Sequence, residues 1–503
     1  MRFMDLVGAS ARQAPEKLAV IEGERQLSFA EIDDRIARLG GALRAAGLQP
    51  GDRVALLAWN ELEQAELQGA CLRSGFVLVP LNTRLSPPEI EFILSDVRPS
   101  VFIVGRELEE LAEATLARLS TSLPTYYLDP DRDGPCYDDL LASGEADPSL
   151  DPDDPHLPAT ILYTSGTTGR PKGAVIDRAA LTARMMAATV ELEVTSDDVW
   201  LQPLPMFHIA SIGAFTHLSR GATVVLQPMF DPSGCYDLLT QHRCTGMVLV
   251  PTLIDMLLAA PEAESFDNSN LRIILYGGAP IQPTLLRSAM EQFECKFEQW
   301  YGQTELSGAT VLRPRDHDPD DDEKLDSAGV PMYSYEVAIF DLDDRPVEDG
   351  EVGEVVARGP GAMSEYWERP DETAATVRGG WLHTGDLGYR DERGFIHLTD
   401  RRNDLIITGG ENVYPREVEF ALVEHPKVQE IAVIGTPDDR WGEMVTAFVI
   451  GEATDEELDA FARENLANYK VPRRWVRLEE LPKTVTGKVQ KPPLREMLSA
   501  GGG

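Results

Sequence analysis

Residues 161–175, with the sequence ILYTSGTTGRPKGAV, combine glycines, hydroxyl side chains and a lysine between apolar flanks. Successive backbone N–H groups in such a turn form a concave anion site, to which Lys172 adds positive charge. The spacing fails the Walker A pattern, because Gly166 and Gly169 are three apart and Gly173 occupies the place of the Mg²⁺-binding Ser or Thr. We therefore expect a phosphate-binding loop of another type, with a plain surface turn as the alternative.

The elements around this stretch alternate between helical and strand-like patterns. Ser28 and Glu31 form a capping box ahead of apolar residues at helical spacing, and Gly47 can end that helix. Strand-like runs recur at 76–81, 99–105, 223–227 and 272–278. This alternation predicts an α/β fold with largely parallel sheets.

The character of the sequence changes near residue 400. Short α+β elements follow, including a helix that Thr454 and Glu457 would cap. We expect an N-terminal domain over 1–400 and a C-terminal domain over 401–503, about 100 residues long and normal in size for a small domain. The acidic stretch 313–327 is interpreted as a solvated loop.

Composition excludes several classes of partner. The 84 acidic and 46 basic residues give a formal charge of −38, which repels nucleic acid and anionic lipid. The cysteines are Cys71, Cys136, Cys235, Cys244 and Cys295, without a CxxC pair, so neither a disulfide framework nor a zinc site is expected. No apolar run approaches the ~20 residues that span a bilayer, and the N-terminus lacks a secretory signal pattern. We expect a cytoplasmic monomer or homodimer without integral membrane association.

Seven motifs in order resemble those of the adenylate-forming superfamily, which includes acyl-CoA synthetases, peptide adenylation domains and beetle luciferases. After YTSGTTGRPKGAV come LPMFHIAS (204–211), YGGAP (276–280), YGQTE (301–305), WLHTGDLG (381–388), DRRNDLIITGGENVYPREVE (400–419) and PKTVTGK (482–488). The resemblance implies a large domain of layered α/β sheets with a β-barrel-like subdomain, and a small mobile α+β C-terminal domain. It also implies ATP, Mg²⁺ and CoA as co-substrates.

The resemblance assigns the nucleotide site residue by residue. The triphosphate loop would comprise Thr164, Ser165, Gly166, Thr167, Thr168, Gly169 and Lys172, lying between a strand and helical sequence. Gly278, Ala279, Pro280, Tyr301, Gly302 and Gln303 would surround the adenine and α-phosphate. Asp386 and Arg401 would hold the ribose.

Four residues are implied in catalysis. Thr304 would contact the α-phosphate and the carboxylate, while Glu305 would ligate Mg²⁺. Lys488 resembles the lysine that reaches from the small domain to the reacting groups during adenylation. His208 would gate the acyl pocket or orient the carboxylate, although a purely structural histidine is equally expected.

A rotation of the small domain in this family builds a thiol channel after adenylation. Gly409, Gly410 and Glu411 would line it, while Trp441, Tyr469, Lys470 and Arg473 would contact CoA; core aromatic residues are the alternative. Asn403 replaces the usual Lys or Asp at the hinge. Asparagine tolerates unusual φ/ψ values, so the hinge role is still expected.

The acid would bind near His208, Ile209, Gly213, Thr252, Gly277, Gly308 and Ala309. His208 stands where amino-acid-activating domains place an Asp, which disfavours an amino acid substrate. The pocket segments contain no Arg or Lys, which disfavours a second carboxylate, and their small residues are expected to leave room for an alkyl chain or ring.

These features predict an AMP-forming ligase that joins an apolar monocarboxylic acid to CoA, with a medium- or long-chain fatty acid as the first choice. An aryl or cinnamic-type acid is the alternative substrate, and a carrier-protein thiol is the alternative acceptor. A nucleotide-sensing protein without catalysis is the alternative of another class.

Overall fold

The computed structural model describes residues 5–132, 134–146, 154–164, 171–401, 404, 406–408, 411–413, 415–438, 441–466, 468–483 and 489–500. The chain divides into two compact units. Unit 1 comprises Met1–Val337 and Ala357–Leu382, and unit 2 comprises Ala338–Val356 and His383–Gly503. This division does not test the predicted domains 1–400 and 401–503, which stay a prediction. Within the described residues, no helix is both long and apolar enough to cross a membrane.

The helices are α1 Gly8–Gln13, α2 Phe29–Ala45, α3 Leu62–Ser74, α4 Pro87–Val97, α5 Glu109–Leu116, α6 Tyr137–Ser143, α7 Arg178–Glu191, α8 Ser211–Ser219, α9 Pro232–Gln241, α10 Pro251–Ala259, α11 Pro283–Phe293, α12 Asp322–Leu325, α13 Pro370–Thr376, α14 Pro415–Val423, α15 Asp455–Asn465 and α16 Lys491–Ala500.

The strands are β1 Leu18–Glu22, β2 Arg25–Ser28, β3 Arg53–Leu57, β4 Val77–Leu81, β5 Val101–Val104, β6 Thr125–Tyr127, β7 Pro158–Thr164, β8 Lys172–Asp177, β9 Val199–Gln202, β10 Thr223–Leu226, β11 Gly246–Leu249, β12 Ile273–Gly277, β13 Lys296–Gln303, β14 Ser307–Leu312, β15 Val330–Pro331, β16 Glu336–Phe340, β17 Gly353–Arg358, β18 Glu365–Tyr366, β19 Val377–Arg378, β20 Trp381–Arg390, β21 Ile396–Arg401, β22 Ile406–Thr408, β23 Glu411–Val413, β24 Val428–Asp438, β25 Gly442–Gly451 and β26 Arg474–Arg477.

Two sheets with parallel centres form unit 1. Sheet A has the order β15-β14-β13-β12-β11-β9-β10-β1-β2, and sheet B has the order β18-β8-β7-β4-β3-β5-β6. The pairs from β13 through β1 in sheet A are parallel, as are those from β7 through β6 in sheet B. The predicted α/β fold with largely parallel sheets is confirmed.

Two further sheets contain the remaining strands. Sheet C has the order β16-β17-β20-β19, with β21 paired to β20, and sheet D has the order β23-β22-β25-β24, with β26 paired to β25. Helices α14 and α15 pack with sheet D around a core that includes Val418, Leu458 and Val433. The small domain is therefore α+β, as expected.

Helix α2 begins and ends where the sequence predicts. The Ser28 hydroxyl accepts the backbone N–H of Glu31, and the Glu31 carboxylate accepts the backbone N–H of Ser28. Gly47, just after the helix, has a φ of +101°, a conformation that glycine adopts without a Cβ penalty. Helix α15 has the predicted capping box at Thr454 and Glu457.

Asn60 joins the two sheets of unit 1. Its Nδ2 donates to the carbonyls of Gln202 (3.2 Å), Leu204 (2.9 Å) and Gln227 (3.0 Å), and its Oδ1 accepts the N–H of Met206 (2.7 Å). Asn60 follows β3 of sheet B, whereas residues 202–206 leave β9 of sheet A. One side chain that is 1% exposed thus fixes the start of the LPMFHIAS segment.

Replacing Asn60 with leucine should strongly destabilise unit 1. The variant takes a donor from three buried carbonyls, of which those of Gln202 and Leu204 keep one other donor, and it leaves the Met206 N–H without its partner. An unsatisfied buried group costs about 1–3 kcal/mol. We expect the free energy of unfolding to fall by about 3 kcal/mol or more, measured by urea denaturation. Gln26→Leu, which changes an exposed carboxamide on β2, is the control. Equal stability of the two variants would contradict the role of Asn60.

Candidate active site

The carboxyl ends of neighbouring parallel strands bring four motifs to one edge of sheet A. Strands β9, β11, β12 and β13 lead into LPMFHIAS, the 250–252 segment, YGGAP and YGQTE, respectively. Because parallel strands end at the same edge, segments distant in sequence meet there, which is where α/β sheets bind ligands. Tyr276 pairs with Gln299 and Gly277 with Trp300 in the β12–β13 register.

The turn between β13 and β14 carries Thr304 and Glu305, and three successive backbone carbonyls anchor it. The Thr304 carbonyl accepts Nη2 of Arg184 (3.0 Å), and the Glu305 carbonyl accepts the N–H of Met363 (2.7 Å). The Leu306 carbonyl accepts the Tyr335 hydroxyl (2.8 Å). Three separate segments therefore fix the position of this turn.

Arg184, on helix α7, is a cation buried to 2% exposure. Its Nε donates to the Gly361 carbonyl (2.7 Å), besides the Nη2 bond to Thr304. Burial lowers its pKa to about 10, so the guanidinium remains charged at neutral pH. No carboxylate forms an ion pair with it among the described residues. A Cβ at Gly361 would lie 2.1 Å from the Tyr335 hydroxyl, so this anchor requires glycine.

Glu305 is 8% exposed, and its Oε1 accepts the Tyr366 hydroxyl at 2.7 Å. Burial, followed by the adjacent Glu305 charge, raises the pKa of Tyr366, which keeps the phenol protonated as a donor. Within the described structure, Glu305 Oε2 accepts no hydrogen bond and is available as a ligand. A buried carboxylate oriented in this way fits Mg²⁺, which favours one or two protein carboxylates together with phosphate oxygens.

Thr164 and Lys172 are paired on the antiparallel strands β7 and β8. Ser165, Gly166, Thr167, Thr168 and Gly169 lie outside the described residues. The loop thus joins two strands of a hairpin, and the later helical sequence is α7, which begins after β8. Residues 173–176 of β8 are buried in an unbroken run, which fits a strand that lies between β18 and β7 in sheet B.

Lys172 lies close to Tyr366, the side chain that donates a hydrogen bond to Glu305. Its Nζ is 5.3 Å from the centroid of the Tyr366 ring and forms an ion pair with Glu372. The Lys172 ammonium and the Glu305 carboxylate therefore contact the same aromatic side chain from different positions. This arrangement provides a cation for phosphate and an anion for a metal.

Glycines allow the YGGAP and YGQTE segments to approach closely. A Cβ at Gly277 would lie 2.4 Å from the Trp300 carbonyl, and one at Gly302 would lie 1.6 Å from the Ser307 carbonyl. Gly278 has a φ of +78°, which favours glycine. The predicted nucleotide residues Gly278, Ala279, Pro280, Tyr301, Gly302 and Gln303 are thus brought together, each partly or fully exposed.

His208 is partly buried, and its ring meets that of Phe207 at a centroid distance of 4.6 Å. Burial, together with the positive charge of Arg84, lowers the pKa of His208 to about 4. The imidazole is therefore neutral at neutral pH. A neutral ring can donate a hydrogen bond to a carboxylate from one nitrogen.

The small residues of the acyl region do not leave the open space that the sequence suggested. A Cβ at Gly213 would lie 3.0 Å from the Trp200 indole, and one at Gly308 would lie 2.6 Å from Cε of Met332. Trp300 lies 3.4 Å from the same Gly308 position. These glycines admit large side chains rather than an acyl group, although their place in the pocket wall stays a prediction. Ala309 is fully buried, and Thr252 is exposed on α10.

A cation from outside the pocket segments lies near the predicted acyl region. These segments contain no Arg or Lys, but the fold places Arg184 beside Met206 and Ile209 in the wall of one cavity. Arg184 is bonded to the carbonyls of Gly361 and Thr304, and the expectation that a second carboxylate is disfavoured stays a prediction. Helix α7, which carries Arg184, is remote in sequence from the pocket motifs.

Asp386 and Arg401, the predicted ribose ligands, are cross-strand partners on β20 and β21 in unit 2. Asp386 is 9% exposed, and its N–H donates to the Thr384 hydroxyl (3.0 Å). Asn403 and Lys488 lie outside the described residues. The hinge and catalytic roles of these two residues stay predictions.

Four of the predicted CoA residues form two cation–aromatic pairs in unit 2. The Arg473 guanidinium carbon lies 4.4 Å from the centroid of the Trp441 ring, and Lys470 Nζ lies 5.6 Å from that of Tyr469. Trp441 is partly buried and Tyr469 is exposed. Gly409 and Gly410 lie outside the described residues, while Glu411 begins β23, where it pairs with Thr408.

Sequence reasoning missed Arg184, Tyr335, Tyr366 and Trp300. Helix α7 shows only ordinary helical periodicity, so nothing local marked its arginine. Tyr366 lies in β18, an edge strand of only two residues, which is too short to predict from sequence. Finding these residues would have required knowing which distant segments contact each motif.

Removing the Tyr366 hydroxyl should weaken Mg²⁺-dependent ATP binding. Tyr366→Phe leaves Glu305 without the donor that orients it, and loss of such a partner costs about tenfold or more in metal affinity. Calorimetric titration with ATP at a series of Mg²⁺ concentrations measures the effect. Tyr333→Phe, at an exposed tyrosine, is the control. An unchanged Mg²⁺ dependence in Tyr366→Phe would exclude the proposed orientation of Glu305.

Glu298 should make the protein less stable as the pH rises. It is fully buried beside Trp300, whose Nε1 donates to it at 2.7 Å, and burial raises its pKa to about 8. Between pH 4.5 and 8 the folded state retains a proton that the unfolded state loses, so stability falls across this window.

Glu298→Gln should flatten that fall in urea-unfolding free energy between pH 4.5 and 8. Glu291→Gln, at an exposed site on α11, should retain the wild-type dependence. If Glu298→Gln and the wild type show the same pH dependence, Glu298 is not the group that titrates.

Comparisons with known proteins agree with this geometry. The AMP-binding enzyme family matches residues 7–367, and the AMP-binding enzyme C-terminal domain matches residues 417–488. A feruloyl-CoA synthase from Amycolatopsis sp is 40% identical over 497 residues, 96% of each chain. An indoleacetate–CoA ligase from Aromatoleum aromaticum is 36% identical, covering 99% of this chain and 98% of the relative.

Among solved structures, the amide bond synthetase McbA from Marinactinospora thermotolerans is similar, with a TM-score of 0.89 and 32% identity, covering 98% of this chain and 99% of the other. The resemblance that the seven motifs suggested is confirmed over almost the whole length. This chain therefore belongs to the AMP-binding enzyme family and is an adenylate-forming acid–thiol ligase, a class of enzyme that uses ATP, Mg²⁺ and CoA.

Proposed function

We propose that the protein is an AMP-forming CoA ligase for a monocarboxylic acid that carries an aryl group. The observation that carries this choice is the similarity over 96% of the chain to a relative named for feruloyl-CoA synthesis. The relative named for indoleacetate supports the same class of acid. A medium- or long-chain fatty acid, the first choice from sequence, becomes the second candidate.

The geometry of the acyl region supports a compact, flat acid over a long chain. Trp300 and Met332 occupy the space beside Gly308, and Trp200 occupies that beside Gly213. Neutral His208 lies in the predicted acyl region and can orient the acid carboxylate by a hydrogen bond. An aromatic ring stacks favourably on an indole such as that of Trp300.

Adenylation would use groups on and around the turn that carries Thr304 and Glu305. An oxygen of the acid attacks the α-phosphorus of ATP, and the bond from this phosphorus to the bridging oxygen of pyrophosphate breaks. Lys172 binds departing phosphate oxygens, Thr304 contacts the α-phosphate and the carboxylate, and Lys488 approaches the developing charge. Glu305 would hold Mg²⁺, which would supply positive charge to the phosphates.

Thioester formation would follow at the same carbonyl. The CoA thiolate attacks the carbonyl carbon of the acyl-adenylate, and AMP leaves with its phosphate oxygen. The Trp441–Arg473 pair provides a flat ring and a cation suited to an adenine and a phosphate. Rotation of the small domain between these steps, the Asn403 hinge and a cytoplasmic location are part of the proposal.

A panel of acids and acceptors tests the assignment. Pyrophosphate release is measured with ATP, Mg²⁺ and aryl-propenoic, aryl-acetic, benzoic and medium-chain fatty acids, each with CoA, a holo-carrier protein or an amine. We expect the highest kcat/KM for an aryl acid with CoA. Preference for fatty acids would move the substrate to the second candidate, while preference for the carrier protein or the amine would change the acceptor class. Absence of pyrophosphate with every acid would instead favour a nucleotide-sensing protein.

Lys488→Ala should abolish adenylation but leave thioester formation from a supplied acyl-adenylate largely intact, because only the first half-reaction uses this lysine. Each half-reaction is measured separately, with pyrophosphate and acyl-CoA as the products. Lys483→Ala, which removes a partly exposed lysine paired with Glu430, is the control. Equal loss of both half-reactions in Lys488→Ala would contradict the proposed division of labour.

A further inference from the structure

Two buried glutamines on helix α3 lack the hydrogen bonds that burial normally requires. Gln64 and Gln68 are one helical turn apart and are 2% and 3% exposed. Gln64 Oε1 and Gln68 Nε2 are enclosed without any partner. In the described part of the chain, neither carboxamide makes a side-chain hydrogen bond. An enclosed polar atom without a partner is unfavourable, so a bound group that hydrogen-bonds to both would account for the two atoms.

Both glutamines line one cavity of about 20 Å³, which is large enough for a single oxygen-sized group. The other polar side chains around it are Thr160, Ser211 and Arg184. The Thr160 hydroxyl donates to the Leu78 carbonyl at 2.9 Å, and Arg184 is bonded to the carbonyls of Gly361 and Thr304. The two carboxamides and the Ser211 hydroxyl, for which the described residues show no hydrogen bond, therefore remain available to a guest.

The cavity adjoins the predicted acyl region. Met206 and Ile209, which flank Phe207 and His208, form part of its wall, as does Ile212 at the start of α8. The remaining lining is apolar and includes Leu78, Leu162 and Phe215. A group that entered past His208 and Ile209 would thus meet an apolar wall and then two carboxamides.

We propose that Gln64 and Gln68 form the hydrogen-bonding end of the acyl pocket and bind a hydroxyl group at the far end of the acid. A hydroxyl accepts a hydrogen bond from an amide N–H and donates one to an amide oxygen, so it satisfies both side chains at once. A methyl group can do neither, and a carboxylate is too large for the volume and cannot donate. This inference rests on the proposed CoA-ligase function.

Matched acid pairs test the proposal at different lengths. The pairs are benzoic and 4-hydroxybenzoic acid, cinnamic and 4-hydroxycinnamic acid, and a medium-chain fatty acid with its ω-hydroxy derivative. For at least one pair we expect the hydroxy acid to have a kcat/KM about tenfold or more above that of its partner, because a site built for a hydroxyl rejects the analogue that lacks it.

The variants Gln64→Leu and Gln68→Leu should reduce that ratio to about one, mainly by lowering kcat/KM for the hydroxy acid. Gln26→Leu, at an exposed glutamine, is the matched control. A purely structural role would lower both members of a pair equally and leave the ratio unchanged. Gln64→Asn serves as a second, more conservative variant if the leucine variants fail to fold, with a reduced ratio again expected.

The results separate this proposal from the proposed function. Turnover of the acids without a preference for any hydroxy acid in the wild type means that ordinary water fills the cavity, which overturns the proposal and leaves the ligase function standing. An unchanged ratio in the variants overturns it as well. Failure to form acyl-CoA from any acid overturns the ligase function and this inference with it.

Discussion

The turn that carries Thr304 and Glu305 is held by three successive carbonyls, and the chemistry of the large unit depends on that anchoring. Arg184, the Met363 N–H and Tyr335 each bind one carbonyl. Hydrogen bonds at three consecutive residues restrict the orientation of the turn more than a single bond would. Catalytic groups aimed at developing charge are effective because they need no rearrangement during the reaction.

The same segment orients Glu305, the proposed metal ligand. Met363 and Tyr366 lie three residues apart, so one stretch of chain binds both the backbone and the side chain of Glu305. Helix α7 completes the support through Arg184, whose charge is compensated by carbonyl dipoles. Asn60 plays the corresponding role for the segment that contains His208. Buried polar side chains, rather than the apolar core alone, therefore position the reactive segments.

The sequence predicted the parts of the protein that depend on local chemistry. The capping boxes at Ser28 and Thr454 are confirmed because a cap involves residues only three apart. A common site for the motifs at the ends of β9, β12 and β13 was implied only by the family resemblance, and the fold explains it because parallel strands end at one edge. The family was recognisable because its motifs are short stretches of sequence that occur in a fixed order.

What could not be predicted depends on contacts between distant segments. Gly308 is a small residue, yet only the fold shows that Met332 fills the space beside it. The acidic stretch 313–327, expected as a solvated loop, contains helix α12 and a buried His317 that contacts the Tyr276 hydroxyl at 3.0 Å. Arg184, Gln64 and Gln68 lie on helices whose local patterns do not reveal which face meets the pocket.

A single-turnover experiment with α-labelled ATP tests the central claim that one site activates an acid as its adenylate before any thiol reacts. The enzyme, Mg²⁺, labelled ATP and an aryl acid are mixed without CoA, and CoA is added later. We expect about one equivalent of pyrophosphate and an enzyme-bound labelled acyl-adenylate in the first phase, with AMP and acyl-CoA appearing only after CoA is added. Formation of ADP and orthophosphate, or no nucleotide cleavage until CoA is present, would contradict it.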